Sequence, residues 1–436
     1  MKTLLWLFIV AASSTLMMLF VYPIFSFSKS SKEFFEISVN ISNNSTPFLW
    51  PSSSYMIGGM DRFEWYRKQM YLKEKIIKLK TTSNISTLSA YEFEHEITVT
   101  ITSKDRMGFR VYCRYMDESN LEVGEPFKSF TYPEYTVACQ KRFGTRKIGL
   151  SVERNGEFQS FPLINRMLKK PKYELSICIA PLYGSEPKWL MFIEMIEHYK
   201  LQGVQHFYTH IHNASIYDLK VINDYVGTGE LEIHYLLERD RRTDDHWQMV
   251  HIADCVVWSR FESRWTIFAD LDERIYMSNY IGTIRRYVQS VDNERIGSLK
   301  FRQQWVLKTE QMPEKYEGEE ELTEWMPTHR WHNSTGIGAP GHTSKCIIDT
   351  SKVFVMWVHS VSQFFPDGNY IEAGVKPTDG LVRHYRDQSM GNWGDKWLRV
   401  VLRFGVLRNT DYPKSLIEKL TENVKRKAEY VYGVVD

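Results

Sequence analysis

The chain has 436 residues, 43% hydrophobic and 25% charged, a balance that excludes wholesale disorder and a coiled-coil rod and points to two or three folded domains. With 55 basic against 53 acidic residues the formal net charge is +2, so the basic excess of a nucleic-acid binder is missing and no nucleic-acid partner is expected. A mean hydropathy of −0.38 rules out a protein of many membrane spans.

Residues 1–3 make a short tail, and from Leu4 to Phe27 no residue is charged. That run of about 24 residues exceeds the roughly 20 that cross a bilayer. Ala11–Ser14 could imitate a leader cleavage site, but apolar residues resume at Leu16. The expectation is an uncleaved transmembrane signal anchor over 4–27, with the folded part on the lumenal side of the secretory pathway. Asn-x-Ser/Thr sequons at Asn40, Asn43, Asn44, Asn84, Asn213 and Asn333 agree with that placement. Five cysteines in an oxidising compartment leave one unpaired.

Residues 28–90 read as a stem, Ser- and Asn-rich at first, then a charged stretch from Trp65 to Lys80 expected to be helical. Over 91–168 the period changes to two. Ile97, Val99 and Ile101 alternate with threonines, and Phe109, Val111, Cys113 and Tyr115 alternate likewise, which predicts a small β-sandwich. Cys113 and Cys139 fall on the apolar phase of their strands, as an inter-sheet disulfide requires; two buried thiols are the alternative. Such a bridge stabilises by about 3–4 kcal/mol in the chain-entropy treatment. The pairing of Cys178, Cys255 and Cys346 stays open.

From 172 to 405 strands and helices alternate. Leu175–Ala180 is a short apolar strand, Pro187 opens a helix that Gly203 stops, and Val204–Ile211 and Leu231–Leu236 are further strands around a helix at Ile216–Val226. Met249, Ile252, Ala253, Val256 and Val257 recur at helical spacing and lead into the apolar run Trp265–Ala269. Single helices between strands predict an α/β fold with a mostly parallel sheet. Residues 406–436 form a C-terminal helical segment.

Ligands of such sheets bind at the carboxyl ends of the strands. There the run Trp265–Ala269 ends in Asp270-Leu271-Asp272-Glu273-Arg274. Two carboxylates at i and i+2 can converge on one hard divalent cation, Mn²⁺ or Mg²⁺, which prefers oxygen donors and bridges to phosphates. A bare Asp-x-Asp is common, and a solvated turn is its ordinary explanation; its place after a buried strand is what singles it out.

Together, Ser176–Gly184, Glu197-His198-Tyr199, Ile252–Cys255, Phe268–Ile275, Lys345–Asp349, Val358–Val361 and Val382–Arg386 resemble glycosyltransferase family 92, in order over roughly 172–405. The resemblance implies a GT-A fold behind a β-domain, type II topology in the Golgi or another secretory-pathway membrane, and a UDP-sugar donor. It implies an inverting galactosyltransferase that forms β1,4 linkages from UDP-galactose on a glycan or glycoprotein acceptor, such as fucose or galactose of N-glycans. Asp270 and Asp272 match the metal and nucleotide-sugar motif, and Glu273 follows it as a residue supporting the metal. His359 stands where a third metal ligand is expected, although a lone histidine there is more often structural. His384 and Arg386 offer donors to a diphosphate. Pro181, Tyr183 and Glu186 lie in the loop that holds base and ribose. Asp244 and Asp245 could touch the donor sugar or merely cap a helix. No motif identifies the general base; Asp367, Glu372 and Asp387 are all in the right portion of the chain. The competing readings are another UDP-sugar on the same fold, and a non-catalytic lumenal glycan-binding protein.

Overall fold

The computed structural model describes residues 36–37, 61–76, 85–237, 247–387 and 392–433. The segment 4–27, the sequons at Asn40 to Asn44 and at Asn84, and Asp244 with Asp245 lie outside the described residues. Among the described residues no helix is long and apolar enough to cross a membrane.

The N-terminal strands form two four-stranded sheets, one containing Ile85–Glu92, Glu96–Ser103 and Thr136–Gln140, the other Arg110–Met116, Phe127–Phe130 and Lys147–Ser151. Their apolar phases meet in one core that includes Ile97, Val99, Ile101, Val111, Tyr115 and Ile148. The Cys113–Cys139 disulfide joins the two sheets through this core. Thr98, Thr100 and Thr102 are buried as well. The polar phase of this strand is covered too: Thr98 borders a cavity shared with Ala253, Val256 and Val257 of a helix from the next domain.

Part of the segment read as a stem is packed structure. Helix Arg62–Ile76 buries Phe63, Trp65, Tyr66 and Met70 in a cluster with Phe130, Tyr132, Phe354 and Phe365. Trp65 meets Phe354 edge-on at 5.0 Å. Arg62 binds Asp367 as well. The first sheet strand begins at Ile85, ahead of the boundary expected at 91.

The larger domain alternates β1 (Tyr173–Leu182), α1 (Trp189–Leu201), β2 (His206–Ile211), α2 (Ile216–Gly227), β3 (Leu231–Tyr235), α3 (Gln248–Trp258) and β4 (Ser263–Ala269). Then follow β5 (Glu273–Met277), α4 (Ile284–Val291), β6 (Ile296–Phe301), β7 (Gln303–Lys308), β8 (Lys345–Ile348), the hairpin β9 (Val353–Trp357) and β10 (Ser360–Phe364), β11 (Ile371–Val375), β12 (Gly380–Asp387) and α5 (Lys414–Tyr432). The main sheet has the order β11–β6–β8–β4–β1–β2–β3, with Glu36–Ile37 beyond β11. Every pairing in it is parallel except those of β8, which runs against β4 and β6. Helices cover the sheet, which is why every residue of β2 and β4 is buried, the polar His206, Thr209, His210, Ser263, Arg264 and Thr266 included.

Local chemistry sets the helix ends. Ser215 and Asp218 form a capping box on α2, and Asp218 Oδ1 also accepts the N–H of Lys188 and Trp189 at 2.7 and 2.8 Å, capping α1 from outside. Gly203, at φ 89°, turns the chain after α1. In α5, Leu420, Val424 and Ala428 lie four residues apart and enter the same core as α1. A second sheet sets β5 antiparallel to β12 and β12 parallel to β7, so Glu273 faces His384 and His384 faces Trp305.

Trp65→Ala should cost about 3 kcal/mol in chemical denaturation, the usual loss for a buried large aromatic. Tyr71→Ala, on the exposed side of the same helix, should cost no more than about 0.5 kcal/mol. Equal small effects would return this helix to the stem.

Candidate functional site

Strand β4 is entirely apolar at its end and delivers Asp270, Leu271 and Asp272 into a turn before β5 starts at Glu273. The turn closes on itself. Glu273 N–H donates to the Asp270 carbonyl at 3.0 Å, and Asp270 N–H donates to Glu273 Oε2 at 2.8 Å. Three carboxylates within four residues repel one another strongly in a partly dry site. Cations from two distant strands answer them.

Lys345, the first residue of β8, sends its buried ammonium to Asp270 Oδ2 at 2.9 Å and Glu273 Oε2 at 3.0 Å. His384 of β12 sits between the remaining acids, with Nε2 3.2 Å from Asp272 Oδ2 and Nδ1 3.3 Å from Glu273 Oε1. Gln303 of β7 donates to Glu273 Oε1 at 2.7 Å, so Glu273 is fully enclosed. Asp270 and Asp272 keep about 30% and 28% of their side chains exposed.

The titration of these groups follows from the packing. Burial disfavours the Asp272 anion, but His384, Arg386 and Lys345 outweigh it and hold the carboxyl well below the usual range. Burial pushes Glu273 up, and Asp270 pushes it further. Burial opposes charge on Lys345 and His384, yet Asp270 with Glu273 raises the first, and Asp272 with Glu273 raises the second. His359 goes the other way, to about 4, through burial and the Lys345 charge.

The loop after β1 faces this turn. Tyr183, 43% exposed, is raised first by burial and then by Asp272 and Asp270, with Arg386 and Glu186 also acting on it. Lys188 Nζ donates to the Gly184 and Glu186 carbonyls at 2.9 and 2.7 Å and holds the loop folded, while Pro181 is buried at its base. Arg386 lies two residues beyond His384 with Trp397 6.0 Å from its guanidinium. Six of the residues expected from sequence therefore act on one cleft: Tyr183, Glu186, Asp270, Asp272, His384 and Arg386.

The third metal ligand is a different matter. His359 occupies the hairpin turn between β9 and β10 and its Nδ1 lies 3.2 Å from the Ser344 carbonyl. Asp270, Asp272 and His359 are not gathered within 4.8 Å of one another; among the described residues the group that meets that distance is His210, His234 and Asp254. The three candidates for a general base are each ion-paired, Asp367 with Arg62, Glu372 with Lys300 and Asp387 with Lys308. Cys178 and Cys255 form a disulfide and Cys346 is a buried thiol.

Sequence reasoning missed Lys345 and Gln303. Lys345 stands in a segment that resembles the family, but nothing local distinguishes a lysine at the start of a strand from a solvated one.

An α/β domain with an acidic turn at the carboxyl edge of its sheet, lined by fixed cations, defines the class. The chain belongs to glycosyltransferase family 92, whose family model matches residues 173–420. Among solved structures, a mannosyltransferase from Pyrobaculum calidifontis in complex with GDP-Man and Mn²⁺ is 9% identical, with a TM-score of 0.29 over 60% of this chain and 75% of its own. Glucosyl-3-phosphoglycerate synthase from Mycobacterium tuberculosis, solved with Mn²⁺, UDP and glucosyl-3-phosphoglycerate, is 10% identical, with a TM-score of 0.24 over 61% of this chain and 81% of its own. Likeness this loose carries no functional argument. No curated protein matches the sequence.

Lys345→Met leaves Glu273 buried without its main cation and should cost about 3–5 kcal/mol of stability; a loss under about 1 kcal/mol in urea unfolding would show that the ammonium is dispensable. His384 gives a pH test. Its folded-state value is raised above the ordinary value near 6.5, so its charge contributes stability that is fully present below about pH 6.5 and lost as pH rises through the raised value. The stability difference between wild type and His384→Gln should therefore shrink as pH rises above about 6.5. A flat difference contradicts the pairing.

Proposed function

We propose that this protein is a metal-dependent inverting glycosyltransferase that moves galactose from UDP-galactose, in β1,4 linkage, to a fucose or galactose hydroxyl of a glycan acceptor. We place it in the Golgi or another secretory-pathway membrane, anchored through residues 4–27 with the catalytic domain lumenal. The observation that carries the reading is the gathering of Asp270, Asp272, His384, Arg386 and Tyr183 at the carboxyl edge of a mostly parallel sheet, in a chain of glycosyltransferase family 92. Galactose as the sugar and β1,4 as the linkage rest on the family resemblance alone.

Asp270 and Asp272 suit a hard divalent cation: each is an oxygen donor, and each is partly exposed to the cleft. They would hold Mn²⁺ or Mg²⁺, with His359 as the third candidate ligand through Nε2, since the Ser344 carbonyl engages only its Nδ1. When bound, such an ion neutralises the diphosphate and makes it a better leaving group. The chain's own residues do the rest. Arg386 supplies a charge that does not titrate away and donors matched to phosphate oxygens. His384 fixes one Asp272 oxygen while the carboxylate stays partly exposed. Lys345 holds Asp270 in place and keeps the acidic turn from repelling a second anion. Tyr183 offers a flat surface to the base and ribose and Glu186 an acceptor for a ribose hydroxyl, while buried Pro181 shapes the loop that carries them. Inversion needs a carboxylate or equivalent base on the acceptor side.

Asp272→Asn keeps shape and removes charge, so galactose transfer measured by mass spectrometry should fall by at least about 10²-fold, roughly 3 kcal/mol of transition-state stabilisation, with an unchanged circular dichroism spectrum. Wild-type turnover in this variant would remove Asp272 from the site. Faster transfer by the wild type from UDP-glucose or UDP-N-acetylglucosamine would change the donor but keep the site.

A further inference from the structure

Parallel pairing of β2 and β3 places His210 directly beside His234. Asp254, from the middle of α3, comes over both. His210 Nε2 and His234 Nδ1 each lie 2.9 Å from the same oxygen, Asp254 Oδ2. The ligand-bearing atoms of the three residues all fall within 4.8 Å of one another. His210 and Asp254 are fully buried, while His234 keeps 20% of its side chain exposed. None of these residues belongs to the Asp270–Asp272 turn.

From this geometry we propose that His210, His234 and Asp254 form a second metal centre, a zinc site of three protein ligands with a fourth position left to water, separate from the nucleotide-sugar cleft. Two imidazoles and one carboxylate are a donor set for Zn²⁺, whose bonds of about 2.0–2.2 Å put tetrahedral ligands roughly 3.3 Å apart. The observed 2.9 Å is reached from there by a shift of a few tenths of an ångström.

What favours an ion over a plain hydrogen-bond network is that every ligand is oriented by a further partner, as metal ligands are. His210 turns its other nitrogen, Nδ1, to His251 Nδ1 at 2.8 Å. The His234 ring lies flat on Trp258, centroids 3.7 Å apart and planes 9° from parallel. Asp254 Oδ1 accepts the hydroxyl of Ser89, which comes from the β-sandwich. Each imidazole can therefore bind as a neutral ligand with its proton on the far nitrogen, toward His251 in one case and toward solvent in the other. The ion would tie the ends of β2 and β3 to α3, and through Ser89 the sandwich to the larger domain.

The test uses the full chain in detergent, stripped with a chelator and reloaded with Zn²⁺. After gel filtration it should retain about one equivalent of zinc by elemental analysis, and its melting temperature should rise on loading. The Asp270→Asn/Asp272→Asn double variant should retain that zinc, and His234→Ala, which removes the partly exposed ligand, should lose it. Co²⁺ added to the stripped wild type should give visible absorption bands of a low-coordinate N,O site, a readout that needs no variant. Zinc retained equally by His234→Ala, zinc lost with the double variant, or a wild type that takes up neither ion would each overturn the proposal.

Discussion

A lysine ammonium buried between two carboxylates holds the site together. Strand β4 is buried along its whole length and ends in an Asp-Leu-Asp-Glu turn, so three negative charges are forced into a partly dry edge of the sheet. Water cannot solvate Glu273, which is fully enclosed. Lys345 comes from 75 residues away to meet Asp270, and His384 from 112 residues away to meet Asp272. The turn is therefore stable only after both sheets have formed, which couples assembly of the cleft to completion of the fold.

The same coupling explains what could be read from the chain and what could not. The apolar runs of β1 and β4, the helical spacing in α3 and the strand phase of Cys113 and Cys139 are local patterns, and local patterns are visible in sequence. The acidic turn was visible for the same reason. Lys345 was not, because its meaning depends on β8 lying antiparallel to β4, a tertiary fact with no local signature. His359 is a middle case: the resemblance marks it as a ligand, and the fold sets it in the turn of a hairpin with Nδ1 at the Ser344 carbonyl, an arrangement that suits a structural and a ligating histidine alike. The threonines of Glu96–Ser103 are buried although they alternate with apolar residues. Alternation marks a half-wet strand only when nothing packs on the polar face.

The β-sandwich is part of the architecture around the larger domain. Arg166, at its end, donates to the Trp258 carbonyl at 2.9 Å and pairs with Glu262 in a buried contact, and Tyr208 of β2 donates to the same glutamate at 2.8 Å. Helix Arg62–Ile76 adds an aromatic cluster that spans the sandwich and the β9–β10 hairpin. Buried charges paired across a boundary resist separation, because removing one side leaves the other unpaired. Arg166 and helix Arg62–Ile76 therefore bind the sandwich side of this boundary to the larger domain.

The most direct measurement is calorimetric binding of UDP to the wild-type protein with and without Mn²⁺. If the acidic turn and Arg386 together receive a diphosphate, UDP binds, and Mn²⁺ strengthens binding by at least about tenfold, 1.4 kcal/mol. UDP affinity that is absent, or that is the same with and without the ion, would contradict the assignment of this cleft as a metal-assisted nucleotide-sugar site.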